Sequence, residues 1–365
     1  SCPNRYIDKK GDSYEDRRAR ELIQSSIKKV GNQYCVRQPW KIDPPTLPNN
    51  KYAVLKRFKS LQKKFADRPA SYFDEYSKAI WKYIEQGYAQ RVPDSELQRD
   101  DGRVNYVPHH DVPHGRKALR IVFDTSLTTN GKSLNSITYT GPDVLNSLTG
   151  VVTRFRQEDI AVTSDLKSFY HCVKIPEEDT DMYRFFWYSD NRLGSPIVQF
   201  KLVVHLFGGR SSQSCSSIAR DTSIDDAEEK KIITPENAAI TKKSFYSDDY
   251  LNSFQSVQHA LQMVLPLVDA LAQGGFTLTK FASSSPEFLA ALPDTLRHPD
   301  VNDCDLTSKH GSVLGIKWHY DSDDFRFDIP FQYDEHEQFT KRMLLSALAT
   351  PFDPLGFISY SLVKA

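Results

Sequence analysis

Apolar residues recur at helical spacing from residue 51 onward. Val54, Phe58, Leu61 and Phe65 share one face, and lysines occupy the other. Asn49-Asn50 is placed to cap this helix, and Pro69 to end it. Tyr72, Tyr76, Ile80, Tyr83 and Ile84 predict a second amphipathic helix that Gly87 terminates. Residues 88–118 read as loop, punctuated by Pro93, Asp100-Asp101-Gly102, Pro108 and Pro113. Leu119–Phe123 predicts a strand, 143–150 a short helix, and Ile160–Leu166 a strand ending in an acid. Tyr183–Tyr188 and Ile197–Val204 predict an antiparallel pair.

The stretch 211–230, free of Pro and Gly, reads as a helix, and another short helix begins at Thr234-Pro235-Glu236. Ser244 to Leu251 reads as a hairpin with Asp248-Asp249 as its turn. A helix over 257–273, bent at Pro266, follows and stops at Gly274-Gly275; a strand over 276–281 carries Lys280 near its end. Val313–His319 and Phe325–Ile329 predict a hairpin around residues 321–324, and 338–349 a basic-tipped helix. From residue 160 the core order is β-α-β-β-α-β, so the fold class is α+β. In such a unit the first strand lies beside the central hairpin, which would carry Asp165 to Asp248 and Asp249.

Composition changes this picture little. The 365 residues carry 47 Lys+Arg and 47 Asp+Glu. The neutral total hides a basic N-terminal third (Lys56-Arg57, Lys59, Lys63-Lys64) and later acids, so a groove for nucleic acid stays open. Cys2, Cys35, Cys172, Cys215 and Cys304 form no CxxC pair, which argues against a zinc ribbon and a disulfide framework and suits a reducing compartment. No apolar run approaches membrane-spanning length, and no signal peptide is expected. The chain begins at Ser1, as a fragment or processed product would. Residues 1–48, charge-rich and then proline-rich, read as an N-terminal arm. His109, His110 and His114 cluster in the loop region, where a solvent or phosphate contact suits them better than a metal.

The chemistry lies with the acids. Adjacent carboxylates at a tight turn repel, and a pair of hard divalent metals would compensate them. Asp165 supplies a third carboxylate. Three acids converging at a sheet end are what two-metal phosphoryl transfer requires.

At these residues the chain resembles a reverse transcriptase of the BEL/Pao group of LTR retrotransposons. Tyr246-Ser247-Asp248-Asp249 resembles the family's Tyr-x-Asp-Asp box, and Ser164-Asp165-Leu166-Lys167-Ser168-Phe169-Tyr170 its first catalytic block. Leu119 to Ser126 with Gly131 to Asn135 resembles the fingers block. His205-Leu206-Phe207-Gly208-Gly209-Arg210-Ser211-Ser212 resembles the block lining template and nucleotide. Gly274 to Lys280 and Leu314 to Trp318 resemble later palm blocks; Pro39-Trp40, Leu47 to Asn50 and Thr340 to Gly356 are also similar to the group. The match runs collinearly over roughly residues 35–365.

The resemblance implies a right-hand polymerase fold. The N-terminal arm or linker would span 1–48, the fingers 49–140 with 175–204, the palm 141–174 and 205–330, and the start of an incomplete thumb 331–365. It implies an RNA- and DNA-directed DNA polymerase using Mg²⁺ (two ions, Mn²⁺ as substitute) with RNA template, DNA primer and dNTPs. Asp165 and Asp248 would be the principal metal ligands, with Asp249 in support. Tyr170 would block a ribose 2′-hydroxyl. Arg120, helped by Lys117 or Arg116, would lie over the triphosphate. Phe207-Gly208 would floor the nucleotide pocket, and Lys280 would donate a proton to pyrophosphate or pair its charge. Leu314-Gly315 and Trp318 would grip the primer. Ribonuclease H, protease and integrase would lie elsewhere in the polyprotein, and the setting would be a cytoplasmic virus-like particle. Gln213, where many relatives have Pro, and Ser247 depart from the family pattern. A decayed or domesticated element that binds nucleic acid without chemistry is the competing expectation. A nucleotidyl cyclase is the third; it leaves Arg120, Tyr170 and the basic helix unexplained.

Overall fold

The computed structural model describes residues 11–112, 119–298, 310–314, 316–320, 322–326, 340–350, 353 and 355–357. In chain order its helices are α1 (Tyr14–Ser26), α2 (Lys51–Asp67), α3 (Ala70–Glu85), α4 (Leu148–Phe155), α5 (Glu177–Thr180), α6 (Ser212–Glu229), α7 (Pro235–Lys243), α8 (Val257–Gln273), α9 (Pro286–Ala291) and α10 (Lys341–Ala349). Its strands are β1 (Lys28–Val30), β2 (Gln33–Cys35), β3 (Ala89–Arg91), β4 (His109–Val112), β5 (Arg120–Phe123), β6 (Ile160–Leu166), β7 (Val173–Lys174), β8 (Arg184–Tyr188), β9 (Ile197–Leu202), β10 (Phe245–Tyr246), β11 (Asp249–Phe254), β12 (Leu278–Ser283), β13 (His310–Val313), β14 (Ile316–His319) and β15 (Asp324–Arg326). The class is α+β. The chain divides into two compact units: one takes in the described residues of Ser1–Val144, Ser168–Thr222 and Gln273–Gly275, the other those of Leu145–Lys167, Ser223–Ala272 and Phe276–Ala365.

In the first unit α2 and α3 form as their periodicity dictates. Val54, Phe58, Leu61 and Phe65 of α2 are buried, as are Phe73, Tyr76 and Ile80 of α3. All five residues of β8 are buried, and the Trp187 ring stacks on Phe73 and Tyr76 at 6.1 and 5.6 Å. Asn50 does not cap α2; its amide instead ties Asn105 and the Tyr106 backbone together, and Asn49 accepts from the Lys51 N–H.

Residues 88–112 are not the loop anticipated. They supply β3, which pairs with β9, and β4, which pairs with β5. His109 is a core residue here, its ring nitrogens 2.7 Å from the Tyr76 hydroxyl and 3.0 Å from the Phe186 carbonyl oxygen. Burial pushes its pKa down to about 4. His110 is exposed, and His114 lies outside the described residues.

The described part of the expected arm is folded into this unit. Ser13 and Asp16 close a capping box on α1, whose Ala19 and Ile23 are buried. β1 and β2 form a hairpin, and β2 runs parallel to β7 with Tyr34 opposite Val173. Asp179, fully buried, accepts from the Arg37 guanidinium and the Trp40 indole N–H, both at 2.8 Å. The dense charge of the segment concealed these buried positions. Gly275 adopts φ +81° after α8, and a Cβ there would come within 2.7 Å of the Gln33 side chain.

In the second unit the sheet order is β10-β11-β6-β12, every pairing antiparallel. Numbered along the chain, that is 4-1-3-2 read from β12, the arrangement of a β-α-β-β-α-β unit with its central hairpin beside the first strand. α8 runs through Pro266 and buries Ala260, Val264, Leu267, Ala270 and Leu271.

The helix expected over 143–150 is displaced to α4. Ser147 caps it, accepting from the Gly150 N–H, and Val151, Val152 and Phe155 face inward. The described residues between 310 and 326 make a three-stranded meander rather than one hairpin. Val313 pairs with Ile316 around a turn in which Leu314 has φ +51°, so the expected long strand is cut in two. Trp318 is core: it packs with Val151, Phe155, Ala161 and Leu251 and donates its indole N–H to Asp323 at 2.7 Å. Gly315 lies outside the described residues. Of the last expected helix, Lys341–Ala349 is described, capped by Thr340.

Candidate active site

The acids meet in the second unit through strand register. Asp249 opens β11 directly opposite Asp165 near the end of β6. Tyr246 pairs with Asp249, so the two-residue turn is Ser247-Asp248, one position earlier than anticipated. Ser247 takes φ +56°, the left-handed first turn position for which glycine is the usual choice. The Leu166 N–H donates to the Asp248 carbonyl at 2.9 Å and ties this turn to β6. Lys280 lies inside β12 rather than near its end. There the pairing with β6 shifts between Thr279 and Ala282, and Lys280 itself has φ +57°. Such a bulge re-aims a side chain. Here the Lys280 ammonium lies 2.7 Å from an Asp165 carboxylate oxygen.

The electrostatics follow from that geometry. Burial pushes the Asp249 carboxyl up to about 7, and the charges of Asp248 and Asp165 push the same way while Lys280 opposes them. Burial also raises Asp248, more than hydrogen bonds from its own backbone and Ser247 lower it. Oxygen-only donors whose charges repel fit a hard divalent cation in donor chemistry. Among the described residues, no three His, Cys, Asp or Glu side chains are already grouped to hold a metal ion. One Asp165 oxygen is taken by Lys280.

No family model matches the chain, and no curated protein matches it. Among solved structures it is similar to a foamy viral protease-reverse transcriptase determined in complex with double-stranded DNA. The identity is 16% and the TM-score 0.46, over 74% of this chain and 39% of that one. The present chain therefore spans well under half of that protein.

The remaining candidate residues belong to the first unit. Arg120 opens β5, exposed, with its charge acting on the half-buried Tyr83 phenol. At the far end of β5, the Phe123 carbonyl lies 3.7 Å from where a Cβ on Gly208 would sit. Gly208 has φ +93°, and its carbonyl accepts from the Thr125 hydroxyl at 3.0 Å. Phe207 beside it is exposed, and its ring meets Tyr170 edge-on at 5.8 Å. Thus Tyr170, Phe207 and Gly208 come together on one unit, and Asp165, Asp248, Asp249 and Lys280 on the other. Lys117 and Arg116 lie outside the described residues. On α2, Arg57 and Lys64 are held by Asp124 and Asp111 at 2.9 and 3.0 Å, whereas Lys56, Lys59 and Lys63 are exposed.

One contact went unread in the sequence. The Tyr170 hydroxyl donates to the Gln213 side-chain oxygen at 2.8 Å. The available signal was Gln213 itself, which departs from the pattern of the family that the sequence resembles.

Proposed function

We propose that this chain is the polymerase region of a reverse transcriptase of the BEL/Pao type, joining dNTPs to a primer 3′-hydroxyl on RNA or DNA templates. The observation that carries this reading is the register of Asp249 opposite Asp165, with Asp248 in the adjoining turn. Residues remote in sequence are thereby brought to one sheet end, where burial and then their charges raise the Asp249 carboxyl. In this reading the second unit's four-stranded sheet is the palm, and α2, α3 and their strands belong to the fingers. Asp165, Asp248 and Asp249 would hold two Mg²⁺ ions, or Mn²⁺. The bound ions would lower the pKa of the primer hydroxyl and neutralise the triphosphate. Lys280 would leave Asp165 as the cations enter and offer its ammonium to the departing pyrophosphate. Tyr170 would exclude the ribose 2′-hydroxyl, Phe207-Gly208 would line the nucleotide, and Arg120 with Lys117 would bind phosphate. Exposed lysines of α2 suit a nucleic-acid backbone. Ribonuclease H, protease and integrase would be further parts of the polyprotein, in a cytoplasmic virus-like particle.

The Lys280–Asp165 ion pair favours a second reading, a retroelement-derived chain that holds nucleic acid without chemistry, because it occupies one of the three carboxylates. Primer extension on an RNA template with Mg²⁺ or Mn²⁺ separates the two. Extension lost in Asp248→Asn/Asp249→Asn is the expected result. Salt-sensitive binding without extension in either protein would refute the polymerase reading.

A further inference from the structure

The amide of Gln213 sits in the first turn of α6 and is bonded at both ends. Its oxygen accepts from the Tyr170 hydroxyl at 2.8 Å, and its nitrogen donates to the Ser217 hydroxyl, one helical turn on, at 2.9 Å. In this arrangement the amide oxygen faces the phenol and the nitrogen faces the Ser217 hydroxyl, which accepts. Tyr170 itself lies in a short 3₁₀ turn, Phe169–Cys172, entered through Ser168 at φ +54°. Its ring contacts Phe169 and Phe207 at 5.4 and 5.8 Å, neither in parallel stacking. Edge contacts with a neighbour as exposed as Phe207 constrain a ring weakly. The hydroxyl bond adds a directional hold at the far end of the ring.

We propose that Gln213 is a positioning residue that sets sugar discrimination by holding the Tyr170 ring in place. This rests on the polymerase reading, in which Tyr170 stands against the 2′ position. A side chain that excludes one hydroxyl by contact must be held to within about half an ångström. A ring free to swing yields to the larger sugar. The bond from Ser217 through Gln213 to Tyr170 ties that wall to α6 instead of to the short turn alone.

The test is the ratio of kcat/KM for a dNTP over the matching rNTP, on an RNA template with the full chain. Gln213→Met keeps length without the acceptor, and Tyr170→Phe removes the same bond from the other side. Each is expected to lower the ratio about tenfold, the size of one lost hydrogen bond. In Gln213→Met the gain is in rNTP use, with dNTP kcat little changed. The double variant should fall no further than either single one. Gln213→Glu, which keeps an acceptor, should retain most of the ratio. An unchanged ratio in a folded Gln213→Met overturns the proposal while leaving polymerase activity standing. So does an unchanged ratio in Tyr170→Phe, which decides the matter if Gln213→Met does not fold. Absence of dNTP incorporation by the unsubstituted chain would overturn the polymerase reading, and this proposal with it.

Discussion

Asp249→Asn should reveal how much the acid cluster costs the fold. Asp249 titrates at about 7 in the folded chain, against an ordinary 3.8. The folded state therefore holds this proton more tightly than the unfolded chain does. Stability from that proton is full below about pH 4 and is lost progressively up to about pH 7. At roughly 1.4 kcal/mol per pH unit the gap amounts to about 4 kcal/mol, an upper bound because water reaches the partly exposed pair. Asparagine carries no charge at any of these pH values. In metal-free protein the variant should match the unsubstituted chain near pH 4 and exceed its stability by about 2–4 kcal/mol at pH 8. Urea unfolding followed through tryptophan fluorescence at several pH values reads this directly; Trp318 lies in the unit that holds Asp249. Side-chain carboxyl NMR, assigned with the same variant, should place the Asp249 midpoint near 7. A difference that does not grow between pH 4 and 8, or a midpoint below 5, would refute the reasoning.

Lys280→Met should move the Asp249 midpoint above 7, because the ammonium lowers it; a fall would show that Lys280 acts on the cluster in some other way. Tyr170→Ala should raise ribonucleotide incorporation relative to deoxynucleotide, read by competitive primer extension; an unchanged ratio would remove Tyr170 from sugar selection. Arg37→Ala leaves the buried Asp179 with the Trp40 indole and without its ion pair, and should lower stability by about 3 kcal/mol in urea unfolding. Loss within a few tenths of a kcal/mol would mean that the buried ion pair does not tie this segment to the fold, as the arm expected over residues 1–48 would have it.

Where one periodicity governed a segment, the sequence was legible. The stripe Val54-Phe58-Leu61-Phe65 forecast the buried face of α2, and the absence of Pro and Gly forecast α6 to within a residue at either end. Misreadings occurred where a partner distant in the chain decides the outcome. His109 looks like a loop histidine until Tyr76 and the Phe186 carbonyl close around it. Residues 28–35 lack a strand's length, yet β7 gives β2 a parallel partner. Arg37 and Trp40 look like parts of an extended linker, although a buried Asp179 requires both. Hydrogen bonds across such separations leave no local pattern.

The acids were visible as residues, but their meeting depends on a single position of register. With Asp248-Asp249 as the turn, neither carboxylate would open β11, and Asp165 would have no acid opposite it. The turn at Ser247-Asp248 makes Asp249 the first residue of β11 and places it across from Asp165. A shift by one would also exchange the faces of Tyr250 and Leu251, both buried. Core packing therefore enforces the register on which the acid cluster depends. Two non-glycine residues in left-handed conformations, Ser247 in that turn and Lys280 at the bulge, flank the same cluster. Each costs about 1 kcal/mol or more and persists only because the surrounding sheet over-determines it. The second strain places the Lys280 ammonium on Asp165, so a cation that the chain itself provides offsets part of the cluster's negative charge.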